Sequence, residues 1–322
     1  MFSFIKRKKQ KNDRKIQELN NQNQTNKRGS NLIEKSLSKN LEVIKQETGN
    51  SSDILIRQLK ICHNSKIKIA ILYVKGMVDN QSVNDFVIES IINNQNLSEK
   101  LKPQEVLEVL TEDVVAVGGI KVVNDWEKLF TALMSGETIT LIDGVSKGIC
   151  ASTQGGQRRS VQESTTNVSI RGSKEAFNES IETNTAMVRR IINNTDLWVE
   201  SINIGKMTKT EVSIMYINGV AKNEIIEEVR KRLKGISIDG ILESGYIEQL
   251  IEDQTNTTFP TIYHTERPDS VAGNLLEGKI AIFVNGTPFV LLVPALFIDF
   301  FQSVEDYYER FDISTAIRFF AL

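Results

Sequence analysis

The chain has 322 residues, 40% of them hydrophobic and 25% charged, with a formal net charge of −2. That is an ordinary soluble composition, long enough for about two domains of roughly 150 residues each. Two cysteines and two histidines exclude a disulfide framework, a zinc-type Cys/His spacing and a His-rich metal site.

The charge is unevenly spread. Residues 1–30 carry nine Lys/Arg against Asp13 and Glu18, a local +7 that leaves −9 on the rest. This segment is rich in Asn and Gln and almost free of apolar residues after Ile5, so it reads as a disordered basic tail. The cluster Lys6–Lys15 suits a solvated tail, anionic lipid headgroups or nucleic acid. Phe2 and Phe4 tilt the reading towards lipid, and the apolar start is too short for a signal peptide.

From residue 31 the pattern becomes globular. Leu37, Leu41 and Ile44 mark the inner face of a helix within 31–47. Strands are expected at 53–61 and 67–75, joined by a short polar connection. A helix with Val83, Phe86, Val87 and Ile91 on one face follows, then more helix at Pro103–Leu110 and a short strand at Val114–Val117. Another helix spans Trp126–Met134, and a hairpin pairs 138–143 with 147–152. Gly155-Gly156 then reads as a flexible hinge between two lobes or as a simple turn.

The second half repeats this order. Asp53 to Gly76 matches Asp196 to Gly219 at a constant offset of 143, and Gly136–Gly144 matches Gly278–Gly286 at 142. A unit that long is a domain rather than a solenoid repeat. Ser173 reads as the N-cap of a helix carrying Phe177, Ile181, Val188 and Ile192. Arg189 and Arg190 sit in its last turn, where cations suit the helix dipole. Strands follow at 196–204 and 210–218, then a helix with Ile225, Ile226, Val229 and Leu233, and another at Tyr246–Ile251. A strand at Thr261–Tyr263, a helix at Val271–Leu276 and a hairpin pairing 280–284 with 287–293 complete the half. Asp143-Gly144 and Asn285-Gly286 are strong hairpin turns, both residues tolerating positive φ. The expected fold is α/β, two related lobes from an internal duplication, each a mixed sheet flanked by helices. The divisions are a tail at 1–30, lobes at 31–156 and 157–310, and a membrane-proximal start at 311–322.

Chemistry is sparse. The chain lacks a Gly-x-Ser-x-Gly elbow, a phosphate loop and a His-Glu-x-x-His pair, so no catalytic residue, cofactor or metal is expected. Cys62 and Cys150 fall in strands without a close partner, which fits a reducing compartment. His63 and His264 read as loop or strand-edge residues. Glu266-Arg267-Pro268-Asp269 is the sharpest charged constellation. Pro268 suits the first position of a helix, and two acids flank one guanidinium in a structural knot or a contact site. Near the end, Phe297, Phe300, Phe301, Val304, Tyr308 and Phe311 share one helical face. No stretch reaches the roughly 20 apolar residues of a membrane span.

Several ordered segments resemble one family. They are Arg171-Gly172-Ser173-Lys174-Glu175-Ala176-Phe177 with Asn184 and Arg189-Arg190, Ser244–Asp253, Phe259-Pro260-Thr261 with Thr265–Asp269, Leu275–Lys279, Val284–Pro288 and Gln302 with Glu305–Tyr308. Together they look like the A subunit of the GerA family of spore germinant receptors, strongly over 160–322 and more weakly over 31–156. The chain departs at Glu163-Ser164, where the family usually has Glu-Pro, and at Asn285, where it favours Asp. The resemblance implies a non-enzymatic protein that continues into a membrane domain and acts with B and C subunits in nutrient-triggered germination. It further implies a homo-oligomer in the spore inner membrane, with this region on the cytosolic, core side and no nucleic-acid partner. A two-lobed nutrient-binding cleft and a pure scaffold are the rival readings. Arg171, Glu266, Arg267 and Asp269 are then candidate ligand contacts. Phe300, Phe301, Tyr307 and Tyr308, in a helix at 296–310, are candidate interface and transmission residues.

Overall fold

The computed structural model describes residues 31–61, 67–87, 101–112, 119–155, 173–252 and 261–296. In the first half these form α1 (Leu37–Glu47), β1 (Ile54–Lys60), β2 (Lys68–Val74), α2 (Asn80–Val87) and α3 (Pro103–Glu112). Then come β3 (Ile120–Val123), α4 (Trp126–Met134), β4 (Thr138–Ile142) and β5 (Gly148–Ala151). The second half contains α5 (Ile181–Ile191), β6 (Leu197–Ile204), β7 (Thr210–Ile217), α6 (Asn223–Gly235) and α7 (Ser244–Ile251). β8 (Tyr263–Thr265), α8 (Pro268–Leu276), β9 (Ile280–Val284) and β10 (Val290–Val293) follow.

Each half is built on a five-stranded sheet, in the orders β1-β2-β4-β5-β3 and β6-β7-β9-β10-β8. Among the described residues every strand pairing is antiparallel, which corrects the expectation of mixed sheets. Helices between strands suggested parallel crossovers. Here the excursion after β2 contains α2, α3, an edge strand and α4, so β4 returns beside β2 in the opposite direction.

The sheets are buried on both faces. Along β2, Ile69, Ile71 and Tyr73 pack with α3, while Ala70, Leu72 and Val74 pack with α1 and α4. In the second half Val212, Ile214 and Tyr216 meet α6 and α7, whereas Met215 and Ile217 meet α5 and α8. Strands with both faces covered need apolar residues at successive positions, which accounts for the continuous run Ile69–Val74.

Asparagines lock the two helices that open the halves. Asn40, at 1% exposure, accepts the Glu34 N–H at 3.0 Å and donates to the Glu34 carbonyl at 2.7 Å. Asn184 does the same with Asn178, at 2.9 and 2.5 Å. The helix expected from Ser173 therefore starts later. Ser180 is its N-cap, and residues 173–180 run without regular structure.

The hairpin turns differ in a related way. Only Gly144 and Gly286 take positive φ, at 91° and 94°, while Asp143 and Asn285 do not. Their side-chain oxygens are used elsewhere: Asp143 accepts the first N–H of α1 at 3.0 Å and Asn285 that of α5 at 3.3 Å. The expected strand at 114–117 lies outside the described residues, and β3 begins at Ile120 instead. The expected strand at 261–263 is shifted to Tyr263–Thr265.

Leu72 is fully buried between β1, β4 and the helices above. Leu72→Ala is expected to cost about 2–5 kcal/mol, read as a lower denaturant midpoint in equilibrium unfolding.

Candidate functional site

The halves meet at a polar seam centred on Arg189 of α5. Its side chain is fully buried, and Asp53 opposite is 7% exposed. Arg189 Nε donates to Asp53 Oδ2 at 2.6 Å and Nη2 to Oδ1 at 3.1 Å, a two-pronged pair. Nη2 also reaches the Leu197 carbonyl at 2.9 Å and Ser51 Oγ at 3.4 Å. Nη1 lies 3.5 Å from Met134 Sδ. One guanidinium thus bridges the end of α4, the start of β1 and the start of β6. A planar fork with five donors can do this, and a lysine cannot.

Neighbouring contacts widen the seam. The Ser52 N–H donates to the Val199 carbonyl at 2.8 Å, and the Val199 N–H donates to Ser51 Oγ at 2.6 Å. Arg190 donates to the carbonyls of Gly76 at 2.9 Å and Gly155 at 3.4 Å. Gly155 is therefore tied to both halves, while Gly156, the other glycine of the expected hinge, lies outside the described residues. Backbone approach is closest at Gly76, with φ of +71°, where an added Cβ would lie 2.7 Å from the Glu182 carbonyl oxygen. A Cβ on Gly49 would lie 2.0 Å from the Trp198 ring.

Trp198 in turn stands edge-on to Tyr216, with ring centroids 6.1 Å apart. The Tyr216 hydroxyl donates to Glu200 at 2.5 Å, and Arg230 Nε donates to the same carboxylate at 2.8 Å. Burial pushes the Glu200 carboxyl up, but the bonds from Arg230 and Tyr216 outweigh it and hold the group below its ordinary range.

A small cleft opens at the seam between Ser52, Asp53, Lys75, Glu182, Ser201 and Glu211. Its volume is about 50 Å³, room for a few waters and well below the roughly 300 Å³ of a typical small-ligand pocket. A second cavity of about 120 Å³, walled by Val229, Ile251, Ile262 and Val293, lies beside α6 and α7. Among the described residues no group of three or more His, Cys, Asp or Glu could hold a metal ion. No described helix is long and apolar enough to cross a membrane.

The charged constellation at 266–269 is a separate feature. Arg267 is 1% exposed and grips Asp269 through Nε at 3.1 Å and Nη2 at 2.7 Å. Nη2 also donates to the Ser173 carbonyl at 2.8 Å, and the Glu266 carbonyl accepts the Phe177 N–H at 2.8 Å. These contacts fasten the segment leading into α5 to the start of α8, whose first residue is Pro268. Arg171, Phe300, Phe301, Tyr307 and Tyr308 lie outside the described residues.

The seam was missed in the sequence because Arg189 looks like a solvated end-of-helix cation. The available signal was the small pair Thr185-Ala186, one turn before it on the same helix.

Comparison with known proteins agrees with the resemblance. A family model described as Bacillus/Clostridium GerA spore germination protein matches residues 42–322. Spore germination protein KA of Bacillus subtilis is 50% identical over 287 residues, covering 89% of this chain and 52% of that protein. Spore germination protein GerLA of Bacillus cereus is 32% identical over 287 residues, covering 89% of this chain and 57% of that protein. The chain thus spans about half the length of these relatives. A crystal structure of the N-terminal domain of the A subunit of the Bacillus megaterium spore germinant receptor GerK3 aligns with a TM-score of 0.67 at 51% identity. It covers 84% of this chain and 99% of that one.

Removing one partner of a buried pair leaves a bare charge and costs about 3–5 kcal/mol. Arg189→Met should therefore lower the melting temperature sharply, and Asp53→Leu combined with Arg189→Met should recover much of the loss in the same measurement.

Proposed function

The chain belongs to the GerA family of spore germination proteins, receptors rather than enzymes, and from that premise we propose that it is the N-terminal domain of a germinant receptor A subunit. The observation that carries this reading is the 51% identity, over 84% of this chain, to an A-subunit N-terminal domain of known structure. In this reading the domain takes part in nutrient-triggered germination with B and C subunits. It faces the cytosolic core from the spore inner membrane, ahead of a membrane domain. The matching strand orders and the paired Asn40 and Asn184 locks support an internal duplication as the origin of its halves.

The work of the domain is mechanical. A seam held by a buried ion pair makes the two halves one body, so force applied at one end reaches the other without bending between them. A germinant-driven change must favour one of two states of the receptor by differential contacts. Residues 296–310, with Phe300, Phe301, Tyr307 and Tyr308, are the proposed route into the membrane half. A nutrient-sensing cleft between the halves is the second reading. The small volume at the seam favours transmission over ligand capture there, and the Arg267–Asp269 pair is better employed as a brace than as a ligand contact.

In a strain whose other germinant receptors are removed, the full-length protein with its partner subunits should restore the nutrient response. The same protein lacking residues 31–296 should not; an undiminished response without them sinks the proposal. A thermal-shift screen against amino acids, sugars and nucleosides separates the two readings. A ligand at 100 times its Kd adds about 2.7 kcal/mol, a shift of several degrees, and a flat profile is expected.

A further inference from the structure

The outer side of α7 carries two unlike flanks. Tyr246 and Leu250, four residues apart and so neighbours on one side of the helix, are 41% and 47% exposed. Leu242, just before the helix, is 69% exposed. Glu248 and Glu252, also four apart, mark the opposite flank, with the exposed Gln249 between. Buried Ile247 and Ile251 hold the inner face of the helix in the core.

Negative charge accumulates around this helix. Between Gly235 and Glu266 there is no Lys or Arg, while Asp239, Glu243, Glu248, Glu252 and Asp253 all fall in that stretch. Glu243 is engaged locally, accepting the Ser244 hydroxyl at 2.6 Å, the Gly245 N–H at 2.7 Å and the Thr287 hydroxyl at 2.9 Å. Burial and the charges of Glu252 and Glu243 hold the Glu248 carboxyl above its ordinary range, and His264 of β8 pulls the other way. An occupant of this surface must therefore bring apolar side chains and cations together.

Residues 297–322 offer phenylalanines but carry five acids against Arg310 and Arg318. An anionic lipid surface would be repelled by the acidic flank. Residues 1–30 have both properties that are needed. Phe2, Phe4 and Ile5 lead directly into Lys6-Arg7-Lys8-Lys9, in a segment of nine Lys/Arg against two acids. Thirty residues extend to about 100 Å, against a diameter of about 50 Å for a compact body of roughly 290 residues. A flexible tether of that length spans about 30 Å on average and holds its end at an effective concentration in the millimolar range. A contact with a Kd of only about 0.1 mM is then about nine-tenths occupied.

We propose that the N-terminal tail folds back onto α7 of its own chain. Phe2, Phe4 and Ile5 lie against Leu242, Tyr246 and Leu250, and the cations Lys6–Lys9 lie against Glu248 and Glu252. The latch is reversible, because its charges stand near solvent and are screened by salt. While closed, it keeps the tail from lipid and from nucleic acid and covers the apolar flank of α7.

The test places p-benzoylphenylalanine at position 4 of the full-length protein, produced with its partner subunits, and maps the photoproduct by mass spectrometry. Light- and heavy-isotope copies in one membrane separate joining within a chain from joining between chains. The main product should link residue 4 to residues 239–253 of the same chain. Leu250→Asp, on a side chain already exposed, should cut that product roughly tenfold with an unchanged melting temperature. Glu248→Gln with Glu252→Gln should cut it severalfold at low salt and little at about 1 M, where the Debye length is about 3 Å. A main product on lipid, on another subunit or elsewhere on the chain overturns the proposal. So does a light–heavy hybrid as the main product, absence of any product, or indifference to Leu250→Asp.

Discussion

A guanidinium with no exposed surface has to find partners for its donors, and Arg189 finds them in both halves of the molecule at once. Its fork holds Asp53, and its remaining reach takes in the Leu197 carbonyl and Ser51. Taking both charges out of water is expensive, and the pair repays this only in one geometry. A hydrogen-bond pattern therefore helps to specify the orientation of the halves. Gly76 follows from the same constraint. The approach of α5 that lets Arg189 reach Asp53 brings the Glu182 carbonyl so near that a side chain at 76 would not fit.

Around that seam each half is a sheet covered on both faces by helices. This layering explains an unusual feature of the strands. Antiparallel sheets often leave one face wet and alternate apolar with polar residues, but β2, β4 and β9 are buried at nearly every position. The helices that cover them are pinned from below. Asp143 and Asn285, each next to a turn glycine, receive the first N–H of α1 and α5. A hairpin turn thereby also sets where a helix begins, and it does so in both halves.

The arrangement is compatible with the role proposed above, a part that passes on movement. Its polar clusters, Arg189 with Asp53, Arg230 with Glu200 and Tyr216, and Arg267 with Asp269, each tie a helix or the segment next to it to a strand or another helix. The cleft beside Asp53 has a volume of only about 50 Å³. Buried acid–arginine pairs can fix geometry without adding much net stability, which is what a coupling element requires of them.

Much of the local structure was legible in the sequence. The strands 54–60, 68–74, 197–204 and 210–217 and the helix 126–134 follow from apolar spacing and turn chemistry, because periodicity reports which face of an element is buried. Pro268 announced the start of α8 because its missing N–H is harmless only there. The matching of the halves at offsets of 143 and 142 was also visible along the chain. Strand direction was not, since spacing along one strand carries no information about which neighbour lies beside it. The start of α5 depended on Asn184 reaching back to Asn178, a side-chain choice that competes with helix formation locally. The seam was decided by tertiary structure alone. Arg189 and its counterpart Lys45 look alike in sequence, as cations near the ends of similar helices. One is buried and the other exposed because α5 has the end of the other half, at Gly76 and Met134, packed against its outer face.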